Sequence, residues 1–258
     1  MLSRNTVTVI EVCAGLWEAL QAAPPERLPV LGRFRRALNL AWHDDVLALV
    51  TPDLGAGPFH LVIAGWPPEA ASYRVEAVSA TQLVLDAFVL DFTHARRWSP
   101  RPDWAQFSPQ PRHWAALLEA GSHHPLPAYL LAPLADLKQA LRALDDSALA
   151  EVARALAGLG PGLTPAGDDV LAGAMLRLHS LGHADLTQPI YSAAAQRTTR
   201  LSRAFLAAAR DGLVNAAWME LLQALAAGTP SALEGALRRV LAFGATSGAD
   251  MLHGFLAA

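Results

Sequence analysis

The 258-residue chain has one cysteine, Cys13, and one lysine, Lys138. A lone thiol closes no internal disulfide and builds no Cys/His zinc cluster, which fits a reducing compartment. The remaining positive charges are arginines, scattered rather than clustered, so no polybasic membrane anchor can be drawn. A net charge of -3 also gives no footprint for a nucleic-acid backbone, and nucleic acid is excluded as a partner. The stretch from Ala120 to Ala135 lacks Asp, Glu, Lys and Arg, but Pro125, Pro127 and Pro133 interrupt it, so no membrane span is expected. There is no basic start followed by an apolar run and a small-residue cleavage site, and the expected location is the cytoplasm. Hydrophobic residues, at 53%, are plentiful enough for a folded chain with a substantial core.

Two patterns divide the chain into expected domains at 1–105 and 106–258. The first is mainly β: short runs rich in β-branched and aromatic residues suggest strands at Thr6–Val12, Arg36–Trp42, Val46–Val50, Phe59–Ile63, Tyr73–Val78 and Leu83–Leu90. His43-Asp44-Asp45 reads as a hairpin turn and Leu16–Ala23 as a short helix. The second is Ala- and Leu-rich with apolar spacings of three and four, giving helices at Pro111–Ala120, Pro133–Leu144, Ser147–Ala157, Gly167–Leu181, Gln188–Arg210, Asn215–Ala227, Pro230–Phe243 and Asp250–Leu256. Prolines 102, 109 and 111 mark the junction, where Trp98 and Trp104 read as packing residues. The expected fold class is α+β, an N-terminal mainly β domain able to close as a barrel, followed by an all-α helical domain.

The segment Gly158–Gly173, GLGPGLTPAGDDVLAG, holds five glycines and two prolines at the start of a helix. Glycine allows positive φ and close backbone approach, and a helix start presents N–H groups that hold anions. No Gly-Lys-Ser/Thr follows, so this is no Walker A loop, and no strand precedes it as a dinucleotide fingerprint requires. Part of the pattern recurs near the C-terminus: Gly167-x-Asp169-x-Leu171-x-Gly173 against Gly248-x-Asp250-x-Leu252-x-Gly254. Residues four apart share a helix face, so each aspartate lies over a glycine. If the two elements face each other, two helix starts and two carboxylates frame one pocket. The competing structural account is that Asp and Thr at helix starts serve only as caps.

These segments, with RTTRLSRAFLAAARDG at 197–212 and weaker stretches at FRRALNL (34–40) and ARRWSP (95–100), resemble the AllH-type oxamate carbamoyltransferase subunit family. The resemblance implies a role with companion subunits in purine or allantoin breakdown, where a carbamoyl group moves between oxamate and phosphate, with oxalurate on one side and carbamoyl phosphate on the other. Under it Asp169 and Asp250 are the catalytic candidates. Gly160, Gly162, Thr164, Gly167, Asp168, Arg197, Thr198, Thr246, Ser247 and Gly248 are the candidates for binding a small anionic carbamoyl substrate. Arg197 and Arg200, three apart, are expected on one helix face as an anion clamp.

No cofactor is required by these residues, although magnesium on the carboxylates is a candidate. Two other functions stay open, a magnesium-dependent hydrolase of a small metabolite and a noncatalytic assembly or regulatory subunit. Apolar helix faces also allow a homo-oligomer. His179 and His183 have the spacing of a helical metal pair, but Gly182 falls between them. His123-His124 lies in a loop and His253 follows the second Asp element. Gly244–Gly248 has the wrong spacing for a serine-nucleophile elbow.

Overall fold

A computed structural model describes residues 4–257, which divide into two compact units between Pro100 and Arg101. The class is α+β, an eight-stranded β-barrel followed by a helical region.

In the first unit the strands are β1 (Asn5–Cys13), β2 (Arg27–Arg33), β3 (Ala37–Trp42), β4 (Asp45–Val50), β5 (His60–Ala64), β6 (Ser72–Val78), β7 (Gln82–Leu85), β8 (Phe88–Asp91) and β9 (Arg96–Trp98), with helix α1 (Ala14–Ala22) after β1. Their order is β5-β4-β3-β2-β6-β7-β8-β1, and β1 also pairs antiparallel with β5, which closes the barrel. β1 spans both sides of the seam. Its first half pairs parallel with β8 from Asn5↔Phe88 to Thr8↔Asp91, and its last residues pair with β9. Side chains alternate across the pleat, so Val7, Val9, Leu38, Leu40, Leu47 and Leu49 all point into one core. Each such burial contributes about 1.5–3 kcal/mol. Trp17 of α1 joins them, stacked on Phe92 with centroids 3.8 Å apart.

Three features of this unit differ from the sequence expectation. The run 83–90 is two strands rather than one, folded back at Asp86-Ala87 so that Leu83 faces Leu90. The Asp86 carboxylate holds the turn by accepting the Arg74 N–H. β2 is hidden in the sequence pattern by Pro29 and Gly32; its pairing with β3 carries a bulge between Val30 and Gly32, where such residues are tolerated. β9 is three residues long and starts with two arginines, too short and charged for alternation to reveal. The hairpin at His43-Asp44 is present, with His43 at φ 48°.

The second unit contains α2 (Pro111–Ser122), α3 (Ala128–Ala143), α4 (Asp146–Leu156), α5 (Ala166–Ser180), α6 (Thr187–Ala194), α7 (Arg200–Arg210), α8 (Ala216–Ala227), α9 (Pro230–Leu241) and α10 (Ser247–Phe255). α5 is buried along nearly its whole length and forms the axis of the core. The expected helix 188–210 is broken into α6 and α7, because the Thr199 side chain caps α7 by accepting the Ser202 N–H. α3 starts before Pro133, which sits inside it. Among the described residues no helix is long and apolar enough to cross a membrane.

Candidate functional site

Two equivalent turns lead into α5 and α10. α4 ends at Leu156, the chain turns through Gly158 at φ 73° and Gly160 at φ 120°, and Gly167 then packs so closely under α4 that a Cβ there would lie 2.1 Å from the Leu156 carbonyl oxygen. α9 ends at Leu241, the chain turns at Gly244 with φ 68°, and a Cβ on Gly248 would lie 1.8 Å from the Val240 carbonyl oxygen. Six residues further on the two helices cross. A Cβ on Gly173 would meet the Met251 carbonyl oxygen at 1.9 Å, and one on Gly254 would meet that of Val170 at 1.9 Å. The repeated sequence pattern is thus a repeated structure whose two copies dock on each other through their last glycines, with Leu171 and Leu252 fully buried.

This crossing joins the two helix starts. Thr164 Oγ1 lies 3.1 Å from Ser247 Oγ. The Ser247 hydroxyl also stands beside Asp169, and the Asp250 charge is close enough to act on the same carboxyl. Burial is the main force there and pushes the Asp169 pKa well above the ordinary value of 3.8, with Asp250 adding to the shift and Ser247 opposing it. Asp250 is raised as well, mainly by burial, against the pull of the Thr246 hydroxyl and of His253. Asp169 Oδ2 and Asp250 Oδ2 are both buried and have no hydrogen-bond partner.

Asp168 is arranged differently. Its Oδ1 accepts the Gly158 N–H at 2.9 Å and its Oδ2 accepts the Thr198 hydroxyl. Its pKa is raised by burial, with the hydroxyls of Thr198 and Ser202 and the Gly158 N–H opposing that shift. The Thr199 hydroxyl donates to the Leu163 carbonyl, and the Arg197 carbonyl oxygen occupies the space a Cβ on Gly158 would need. The 197–199 segment therefore clasps the glycine loop through Thr198, Thr199 and backbone.

Arg197 lies in that connection, its Nε donating to the Arg154 carbonyl, while Arg200 is the first residue of α7. The expectation that the two arginines share one helix face is corrected by the break that Thr199 imposes.

Thr164, Asp169, Thr246, Ser247 and Asp250 therefore come together, Gly167 and Gly248 support them from beneath, and Asp168 and Thr198 hold the loop carrying Gly160 and Gly162. Gly162, at φ 95°, has open space where a Cβ would be. Two further contacts border the site, one of them made by His253, which follows the second Asp element in sequence. The Tyr129 hydroxyl covers Gly160, lying 3.2 Å from where its Cβ would be. His253 Nε2 donates to the His124 carbonyl at 2.6 Å. Tyr129 carried no motif, and His124 contributes its backbone, which no residue pattern can show. His179 Nε2 is 2.9 Å from the Arg210 carbonyl and its ring stacks on Trp104, so it packs, and His183 lies beyond the end of α5. With Asp168 engaged, a magnesium ion would find two carboxylates here, and among the described residues no group of three or more His, Cys, Asp or Glu is placed to hold a metal.

Comparison with known families bears on this unit. Residues 156–258 match the family model of oxamate carbamoyltransferase subunit AllH. The match runs from the last residue of α4 through α10, so both glycine-aspartate turns and the 197–199 clasp lie within the AllH-matched span. No curated protein and no solved structure matches the chain.

Proposed function

We propose that the chain is a subunit of a carbamoyltransferase and that its helical unit binds a small carbamoyl anion, oxamate or carbamoyl phosphate, where α5 and α10 begin. The observation that carries this reading is the Thr164–Ser247 contact, which brings two helix N-termini and their hydroxyls to one place inside the AllH-matched span. Helix starts favour anionic oxygen through the dipole and through N–H groups left without intrahelical partners. The same donors would stabilise the oxyanion formed when a nucleophile adds to a carbamoyl carbon. Gly160 and Gly162 shape the loop rim, Thr164, Thr246 and Ser247 supply hydroxyls, and Asp168 and Thr198 keep the loop in place. Companion subunits complete the enzyme in this reading.

The test is calorimetric titration of the purified chain with carbamoyl phosphate and with oxamate, comparing wild type with Gly162→Val. Gly162 needs a positive φ but has no neighbour to clash with, so the substitution distorts the loop and leaves the helices. Saturable binding that weakens by about tenfold or more in the variant is expected, with unchanged far-ultraviolet circular dichroism. Absence of binding at millimolar ligand, together with tight assembly onto companion subunits, would favour the assembly-subunit reading instead.

A further inference from the structure

Asp169 and Asp250 hold equivalent positions, each the fourth residue of its helix, and each lies one turn before the glycine at which the helices cross. Both residues are almost wholly enclosed, 5% and 4% exposed. Each nevertheless leaves its Oδ2 without a donor. Folded proteins leave few buried polar atoms in that state, and two at matched positions on touching helices are not accounted for by capping, which employs carboxylate oxygens rather than stranding them. The neighbouring Asp168 shows the contrast, since both of its oxygens are satisfied by the protein.

The protein brings no donor to either Oδ2, so whatever completes this pair must bring donors. An oxygen-only anion brings none. A divalent cation prefers six or more oxygen ligands, and no third carboxylate or histidine joins these two among the described residues. A primary amide carries two N–H groups on one nitrogen, one for each stranded oxygen. We propose that Asp169 and Asp250 together form an amino-group pocket that receives the terminal –NH2 of a carbamoyl ligand, and that this pair makes the site select primary amides over acyl compounds of the same shape. The inference rests on the carbamoyl-binding reading above and adds to it the element of selection. Ser247, the first residue of α10, contacts Thr164 of the glycine loop, and in this proposal ligand entry displaces that contact. The carbamoyl oxygen and the anionic end then stay toward the helix starts.

Oxamate and pyruvate share a carboxylate and a carbonyl and differ in –NH2 against –CH3, which isolates the amino group. Titration of the full chain with each is the test, with Asp169→Asn and Asp250→Asn as near-isosteric variants that offer N–H in place of an acceptor. Oxamate is expected to bind roughly tenfold or more tightly than pyruvate to wild type. That preference is expected to fall to within about twofold in either variant.

Equal binding of oxamate and pyruvate to wild type would overturn the amino-group pocket while leaving the anion-binding reading intact. A preference that survives both substitutions would do the same. Magnesium binding that requires both aspartates while oxamate binding ignores them would assign the pair to a cation instead. Failure of oxamate, pyruvate and carbamoyl phosphate alike to bind would overturn both readings. The wild-type comparison needs no variant to fold, so the proposal stands or falls even if a substitution disrupts the crossing.

Discussion

Successive residues on an α-helix point about 100° apart, so of the neighbours Asp168 and Asp169 only one can face α10. The structure turns Asp169 toward Ser247 and Asp250 and gives Asp168 to the loop. Asp168→Ala would strand the Gly158 N–H and the Thr198 hydroxyl together. The expected result is a loss of about 2 kcal/mol or more in chemical denaturation, with faster amide exchange through 158–165. An unchanged exchange pattern there would show that the loop holds itself. The motif was visible in the sequence, but the division of labour between the two aspartates was not. It depends on Thr198, in a segment whose composition reads as continuous helix, and on Ser247 and Asp250 of α10.

At the scale of elements, the glycines are a matter of fit. Gly173 and Gly254 each rest on a carbonyl of the opposite helix, so a methyl group on either must push α5 and α10 apart. Gly173→Ala and Gly254→Ala are each expected to destabilise by about 1–3 kcal/mol in urea denaturation. The double variant should cost less than the two singles added, because the first substitution already opens the gap the second would need. Strict additivity would show that the two contacts do not share one crossing.

This pairing was legible beforehand from the recurring Gly-x-Asp-x-Leu-x-Gly, as were most helices and the strands with clean alternation. What escaped detection shares a cause: the local signal was contradicted by a partner elsewhere. Pro29 and Gly32 sit in a strand that a bulge accommodates, Thr199 breaks a helix by capping the next one, and β9 exists only because β1 offers it an edge.

At the scale of the molecule, the two units are expected to respond to acid in opposite senses. We propose that 1–105 and 106–258 unfold as separate cooperative domains. In the barrel, burial lowers the His60 pKa to about 4 from 6.5, with its Nδ1 donating to the Gly55 carbonyl. Between those values the unfolded chain takes up a proton that the folded chain refuses, so barrel stability falls as pH drops from about 6.5 to 4, by roughly 3 kcal/mol. In the helical unit Asp168, Asp169 and Asp250 have pKa values above 3.8, so there the folded state takes up protons first as pH falls, and mild acid favours it. Calorimetry at pH 7 and pH 5 should show the barrel transition moving down and the helical-unit transition not following it, with His60→Gln removing most of the downward shift. Two transitions moving down together would contradict this assignment.

The closure of the barrel through β1 also has a bearing on how the chain is made. β1 leaves the ribosome before every strand it pairs with, and its Asn5 has to wait for Phe88. Until then the nascent sheet carries open edges along β1, in a part of the chain rich in valine and leucine. The slow step of folding is therefore expected to be the late joining of β8 and β9 to a strand synthesised long before them, and that interval is when the chain is most exposed to sticking to its neighbours.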